Sequence, residues 1–298
     1  MGTRENPIKV AAENPGSAII SGESSVQMYG EFVVLQGLIF QGGGTRNSDL
    51  IQTRTSSTEF CNYCRITEIS IVDIDYGNFE GSGKWMNLYG HHNRIDHNWF
   101  AGKAERSVML SINREAPDSG AADTEIDYFQ IDHNYFGDRA PTDGKAYADS
   151  SDNDYEAIRT GLSESHAYDS FSVIENNYFE RIDGEAEVIS NKAGNNIIRN
   201  NTVRDSFGSI TTRHGSSATI ANNFMLGDGH PFAGGLRIID DGHRIVNNYI
   251  EGARYLATNF HGGIVIHNSD GSTSNGYQDV ENILVAHNTV VNLSLIHI

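Results

Sequence analysis

One short pattern recurs along this chain: an aliphatic residue, two variable positions, an asparagine, then two residues that are usually aromatic or aliphatic. It runs from Ile95-Asp96-His97-Asn98-Trp99-Phe100 to Val285-Ala286-His287-Asn288-Thr289-Val290, with its asparagine at Asn98, Asn134, Asn177, Asn201, Asn223, Asn248 and Asn288. Between Asn177 and Asn248 the steps are 24, 22 and 25 residues, whereas the outer steps are 36, 43 and 40. The first set is a bare repeat and the second is the same repeat carrying an inserted loop. A unit this short cannot bury an apolar face by itself, so its copies must stack.

Leucine-rich repeats share the period, but their regular leucines are missing, and the apolar pieces here are short, β-branched and closed by Gly or Asn. With 31 Gly and 28 Asn, about a fifth of the chain is costly inside a helix. The expected fold is all-β, a right-handed parallel β-helix. Its coils would stack at the ~4.8 Å strand spacing, with the asparagines forming an internal amide ladder rather than marking glycosylation or ligand binding. The polar stretch Ala140 to Asp154 reads as an insertion between coils, so residues 1–298 form one elongated domain. Truncation is expected at both ends. The segment Arg4 to Val10 reads as the middle of a patterned stretch, and Leu293 to Ile298, which resembles adapter read-through, carries no weight for the fold.

A net charge of −18, from 21 basic and 39 acidic residues, argues against sequence-independent nucleic-acid binding. No apolar run approaches the ~18 residues needed to span a membrane, so neither nucleic acid nor membrane is an expected partner. No secretory signal follows Met1. Cys61 and Cys64 are the only cysteines, a lone CxxC expected to pack or to close a local disulfide.

Stacking turns sequence spacing into distance. Lys192, Arg213 and Arg237, separated by 21 and 24, are expected to form a cationic column up one face. Glu185 and Glu187 stand at strand spacing and would point to one side. Two adjacent carboxylates repel unless a cation or proton joins them, which suits a Ca²⁺ site with Asn153 of the preceding coil as a further ligand. For any one pair of these residues the simpler account is a surface ion-pair network; the joint spacing favours a site.

The stretch Asp183-Gly184-Glu185-Ala186-Glu187-Val188-Ile189-Ser190-Asn191-Lys192, followed by Arg213-His214-Gly215, closely resembles polysaccharide lyase family 6, the alginate lyases and chondroitinase B. Asn134 to Arg139, Glu156 to Gly161, Gly234 to Ile239 and Glu31 to Gly43 resemble other family segments, so the likeness covers roughly residues 5 to 292. The family usually has a Gly-rich step before the glutamate where this chain has Asp154-Tyr155. The resemblance implies a parallel β-helix that cleaves a uronate polysaccharide by β-elimination with Ca²⁺. By position it implies Lys192 as the base, Arg213 as the catalytic arginine, Glu185, Glu187 and Asn153 as metal ligands, and Arg237 and His214 as substrate-side residues.

These residue types suit the reaction. A proton at C5 of a uronate lies α to a carboxylate, and its removal builds up negative charge that a bound cation would offset. Arg213 would stabilise charge on the leaving oxygen or position a donor rather than give up a proton itself. Only 21 basic residues in so acidic a chain favour an unsulfated polymer, alginate, over dermatan sulfate. A polymer of that size is met outside the cytoplasm, so a secreted or periplasmic location is expected. Two rivals come from other classes: a β-helix glycoside hydrolase using Asp240-Asp241 as its carboxylate pair, and a non-catalytic carbohydrate-binding β-helix. His91-His92 lacks a third ligand at metal spacing and is expected in a turn.

Overall fold

The fold is seen in a computed structural model that describes residues 1–43, 49–74, 83–114, 126–149, 151–255, 261–272 and 276–293. Among these residues three parallel sheets run the length of the molecule. The first has ten strands, from Ile8–Ala11 to Leu284–Ala286, and the second ten, from Ala18–Ile20 to Thr289–Val291. The third has nine, from Val26–Gln27 to Ile264–Ile266. The chain visits the three sheets in turn and each strand pairs with its counterpart one coil away, which is a parallel β-helix. No described helix is long and apolar enough to cross a membrane. Residues 294–298, most of the C-terminal segment set aside above, lie outside the described residues.

Inward positions stack in like-with-like columns. Ile66, Ile95, Ile131, Ile174, Ile198, Ile220 and Ile245 are in register on successive coils of the first sheet, all fully buried. In the second sheet Phe100, Phe136 and Phe179 stack with ring centroids 4.7 and 5.0 Å apart. Ile158, Ile189, Ile210 and Leu236 do the same in the third.

The asparagine repeat forms the corner between the first and second sheets. From Asn134 onward each carboxamide oxygen accepts from both the backbone N–H and Nδ2 of the asparagine one coil earlier, as Asn201 does from Asn177 at 3.0 and 3.1 Å and Asn223 from Asn201 at 3.0 and 3.0 Å, while Asn98 accepts from the Ile69 N–H at 2.9 Å. Each Nδ2 also reaches the carbonyl of an isoleucine one coil back; for Asn201 this is Ile174, at 2.9 Å. The residue before each ladder asparagine has positive φ, from +55° to +58°, and is His97, His133, Asn176, Asn200, Asn222, Asn247 or His287. These types tolerate the left-handed region better than most. The pattern's variable third position is thus the turn and its fourth the ladder.

The two cysteines are joined in a disulfide, buried at the corner between the third and first sheets. His91 and His92 lie in the next turn, where His92 stacks between Tyr63 and Tyr128 with centroids 4.8 Å from each. The Ala140–Asp154 insertion leads from the second sheet to the third. Replacing Asn201 by Ala strands donors on Asn177 and the Ile174 carbonyl, and should cost about 2–4 kcal/mol in urea unfolding. Asn200→Ala, at the exposed turn position, should cost only about 1 kcal/mol. Equal costs would contradict the ladder's role.

Candidate active site

The site is built on the outer face of the third sheet. Thr160, Asn191 and Thr212 pair across three coils, so Lys192 and Arg213, each one residue further on, hold the same place on adjacent coils as expected. Gly161 takes that place on the coil before. Its φ is +75°, and a Cβ there would lie 2.9 Å from the Lys192 carbonyl oxygen, so a glycine is needed for the two turns to nest.

Arg237 does not continue the column. The residue in register with Lys192 and Arg213 on the next coil is Ile239, because Thr212 pairs with Ile238. Arg237 instead pairs with Thr211, which pairs with Ser190, which pairs with Arg159. A spacing of 24 predicts one repeat, whereas this coil is two residues longer. The corrected geometry has two columns, Lys192 with Arg213, and Arg159 through Ser190 and Thr211 to Arg237.

Glu185 and Glu187 converge, but not by strand alternation. The strand begins at Glu187, and Glu185 lies in the bend before it. The ladder slips between Glu187 and Ile189: Glu187 pairs with Ser209 while Ile189 pairs with Ile210. This bulge turns Glu187, three residues before outward-facing Ser190, onto the outer face, where Oε1 is 3.2 Å from the Arg237 guanidinium. Gly184 allows the bend to approach the previous coil, since a Cβ there would lie 2.7 Å from the Tyr155 carbonyl oxygen. That carbonyl, at 3.1 Å, accepts from Arg139, whose buried guanidinium also donates to the Lys103 and Ser107 carbonyls at 2.6 and 2.9 Å.

The third member of the acidic cluster is Glu156, a residue that the sequence reading placed in a family segment but gave no role. Glu156, Glu185 and Glu187 are all buried, and each offers a carboxylate oxygen within 4.8 Å of the others. Among the described residues this is the one group of three or more His, Cys, Asp or Glu residues able to hold a metal ion. The signal was available: Thr160 and Asn191 are 31 apart, and so are Glu156 and Glu187. Asn153 is exposed, three residues before Glu156 on the approach to the same coil.

Both Glu156 carboxylate oxygens are buried without a hydrogen-bond partner, and the nearest Arg159 nitrogen is 3.8 Å from one of them. Burial, then Glu156 and Glu187, hold the Glu185 carboxyl well above the usual carboxylate range, against the opposing charge of Lys192. Glu156 is raised by burial too, with Arg159 and Lys192 opposing it. Buried oxygens that lack donors and repel each other suit a hard cation. Glu156, Glu185 and Glu187 would supply its carboxylate ligands.

Arg213 donates to the Gly276 carbonyl at 2.7 Å, and its guanidinium sits 4.8 Å from the Tyr277 ring centre. Arg237 reaches the Tyr277 hydroxyl at 3.2 Å. His214 is buried, with Nδ1 3.0 Å from the Gln278 side-chain oxygen. Burial and the neighbouring Arg213 push its pKa down to about 3, so it is a neutral imidazole beside the cationic column. Asp240 and Asp241 lie in a bend, not in a strand, and the Asp240 carboxylate accepts from the Gly215 and Asp241 N–H groups at 3.1 and 2.9 Å.

The chondroitinase B family model matches residues 1–297. The chain belongs to polysaccharide lyase family 6. Among solved structures, this family 6 chain is 34% identical to the alginate lyase AlyGC over 97% of its own length, with a TM-score of 0.87. It is 30% identical to a mannuronic acid specific family 6 lyase from human gut microbiota over 99% of its length, at 0.82. A family 6 alginate lyase in complex with a trisaccharide gives 28%, 95% and 0.82. The chain spans 38%, 65% and 61% of those proteins. No match was found among curated proteins.

The cluster sets a pH dependence. In chelator-treated protein, a Glu185 pKa above its unfolded value gives stability that is full below the ordinary carboxylate range and lost as pH rises through the raised value. A bound cation removes that loss. The Tm difference between calcium-treated and chelator-treated protein should therefore be small near pH ~5 and widen towards pH ~8. A gap independent of pH would contradict a cation in this cluster.

Proposed function

We propose that this chain cleaves a uronate polymer, alginate, by β-elimination, with Lys192 as the base. The observation that carries this reading is the meeting of three buried carboxylates with Lys192 and Arg213 on adjacent coils of one sheet face. A general base, a cation-holding cluster and a fixed guanidinium are what proton removal α to a carboxylate requires.

Ca²⁺, held by Glu156, Glu185 and Glu187 with Asn153 as a further ligand, would offset the charge that develops on the carboxylate of the sugar losing its proton. Lys192 takes the C5 proton from the sugar whose carboxylate lies at the acidic cluster. Arg213 then stands beside the oxygen that departs from C4 and stabilises its charge, since a guanidinium is a poor proton donor. Arg159 and Arg237, one coil to either side of the Ser190–Thr211 step, provide cations for neighbouring uronate carboxylates. Neutral His214 backs Arg213 without adding charge.

Alginate is favoured over dermatan sulfate because the cations gathered here are few and the chain is strongly acidic. A location outside the cytoplasm belongs to the same proposal, supported by the polymeric substrate and by the Cys61–Cys64 disulfide.

Lys192→Ala should lower turnover of alginate oligosaccharides by about 10²–10⁴-fold without loss of binding. Mass spectrometry of wild-type products should show fragments whose summed mass equals the parent, with no water added. Products that have gained water, or full activity in the variant, would overturn the proposal.

A further inference from the structure

We infer that Asp154 sets how tightly this chain holds its polymer, by competing with a substrate carboxylate for Arg159. The inference rests on the lyase reading above and adds to it a residue that tunes substrate affinity.

Arg159 and Arg237 end the same outward column, with the Ser190 and Thr211 hydroxyls buried between them and lacking hydrogen-bond partners. The guanidiniums differ in what restrains them. Arg237 is held by Glu187, a member of the acidic cluster, at 3.2 Å. Arg159 leaves its cluster neighbour Glu156 at 3.8 Å and places the same nitrogen 2.6 Å from Asp154, which lies outside the cluster. Its buried Nε has no hydrogen-bond partner. The closest anion on this arginine is therefore one that the cation site does not use.

The backbone reinforces that reading. Asp154 has φ +71°, in the left-handed region that favours glycine, so its carboxylate is presented at some conformational cost. Its second oxygen is 2.9 Å from Arg106, whose side chain is 58% exposed. The Asp154 side chain is 30% exposed against 11% for Arg159, so the pair meets solvent on the aspartate side. An arriving polyanion meets Asp154 as a like charge and must displace it from Arg159 to gain that contact. A partly exposed pair can be exchanged in this way, whereas the Arg237–Glu187 pair, 6% and 9% exposed, is fixed.

Asp154→Asn keeps the side-chain shape and tolerates positive φ, so the fold is preserved while the competing charge is lost. In calcium-containing buffer this variant should lower KM for alginate roughly threefold to tenfold, with kcat within about twofold. Calorimetric affinity for an alginate oligosaccharide should rise by the same factor in a Lys192→Ala background, where turnover does not intervene. In an Arg159→Gln background Asp154→Asn should bring no gain. Unchanged or weaker binding by Asp154→Asn would overturn the inference, as would an equal gain with Arg159 replaced, which would mark a general charge effect. If the parent chain neither binds nor cleaves the oligosaccharide, the lyase reading falls and this inference with it.

Discussion

Everything in this molecule depends on one coil sitting in register on the next, and the buried asparagine ladder fixes that register. Each carboxamide ties the turn of one coil to the turn of its neighbour through two hydrogen bonds of about 3 Å and to the strand before it through a third. Mis-stacking by one residue would leave buried donors and acceptors unpaired, at a cost that apolar contact between neighbouring isoleucines could not recover. The ladder is therefore what makes the position of a residue within its coil a spatial coordinate.

The site uses that coordinate system and departs from it at defined points. Lys192 and Arg213 fall together because their coils are in register, and Arg159 faces Arg237 across two intermediate coils for the same reason. The bulge between Glu187 and Ile189 breaks alternation to bring a carboxylate to the outer face. Gly184 and Gly161 remove the Cβ atoms that would hold neighbouring turns apart. The outcome is a concentration of opposite charges in partial burial, where three carboxylates cannot all ionise comfortably without a cation among them.

Much of this was legible in the sequence, for reasons that mark where legibility ends. The asparagine repeat states the fold because each copy repeats one turn geometry, and Lys192 and Arg213 could be aligned because the coil between them carries no insertion. Arg237 was misplaced by two residues because its coil is lengthened, a change that an average repeat length conceals. Glu156 went unassigned as a cluster member because the polar insertion before it obscures the coil boundary, although its 31-residue offset from Glu187 matches the local register. The bulge at Val188 leaves no signature in spacing, so the paired glutamates were expected together for a reason that does not hold. Tyr277, which packs against Arg213 and reaches Arg237, comes from a loop remote in sequence that periodicity does not address.

The proposed chemistry on this sheet face is removal of a proton beside a carboxylate with the help of a bound cation. Its most direct test is ultraviolet absorbance of the C4–C5 alkene formed when the protein is mixed with alginate and, separately, dermatan sulfate, each with added calcium and with a chelator. A rise on alginate that the chelator abolishes and calcium restores is the predicted result; a rise on dermatan sulfate instead would keep the chemistry and change the substrate. No absorbance on either polymer, from protein whose circular dichroism shows folded β structure, would contradict the account.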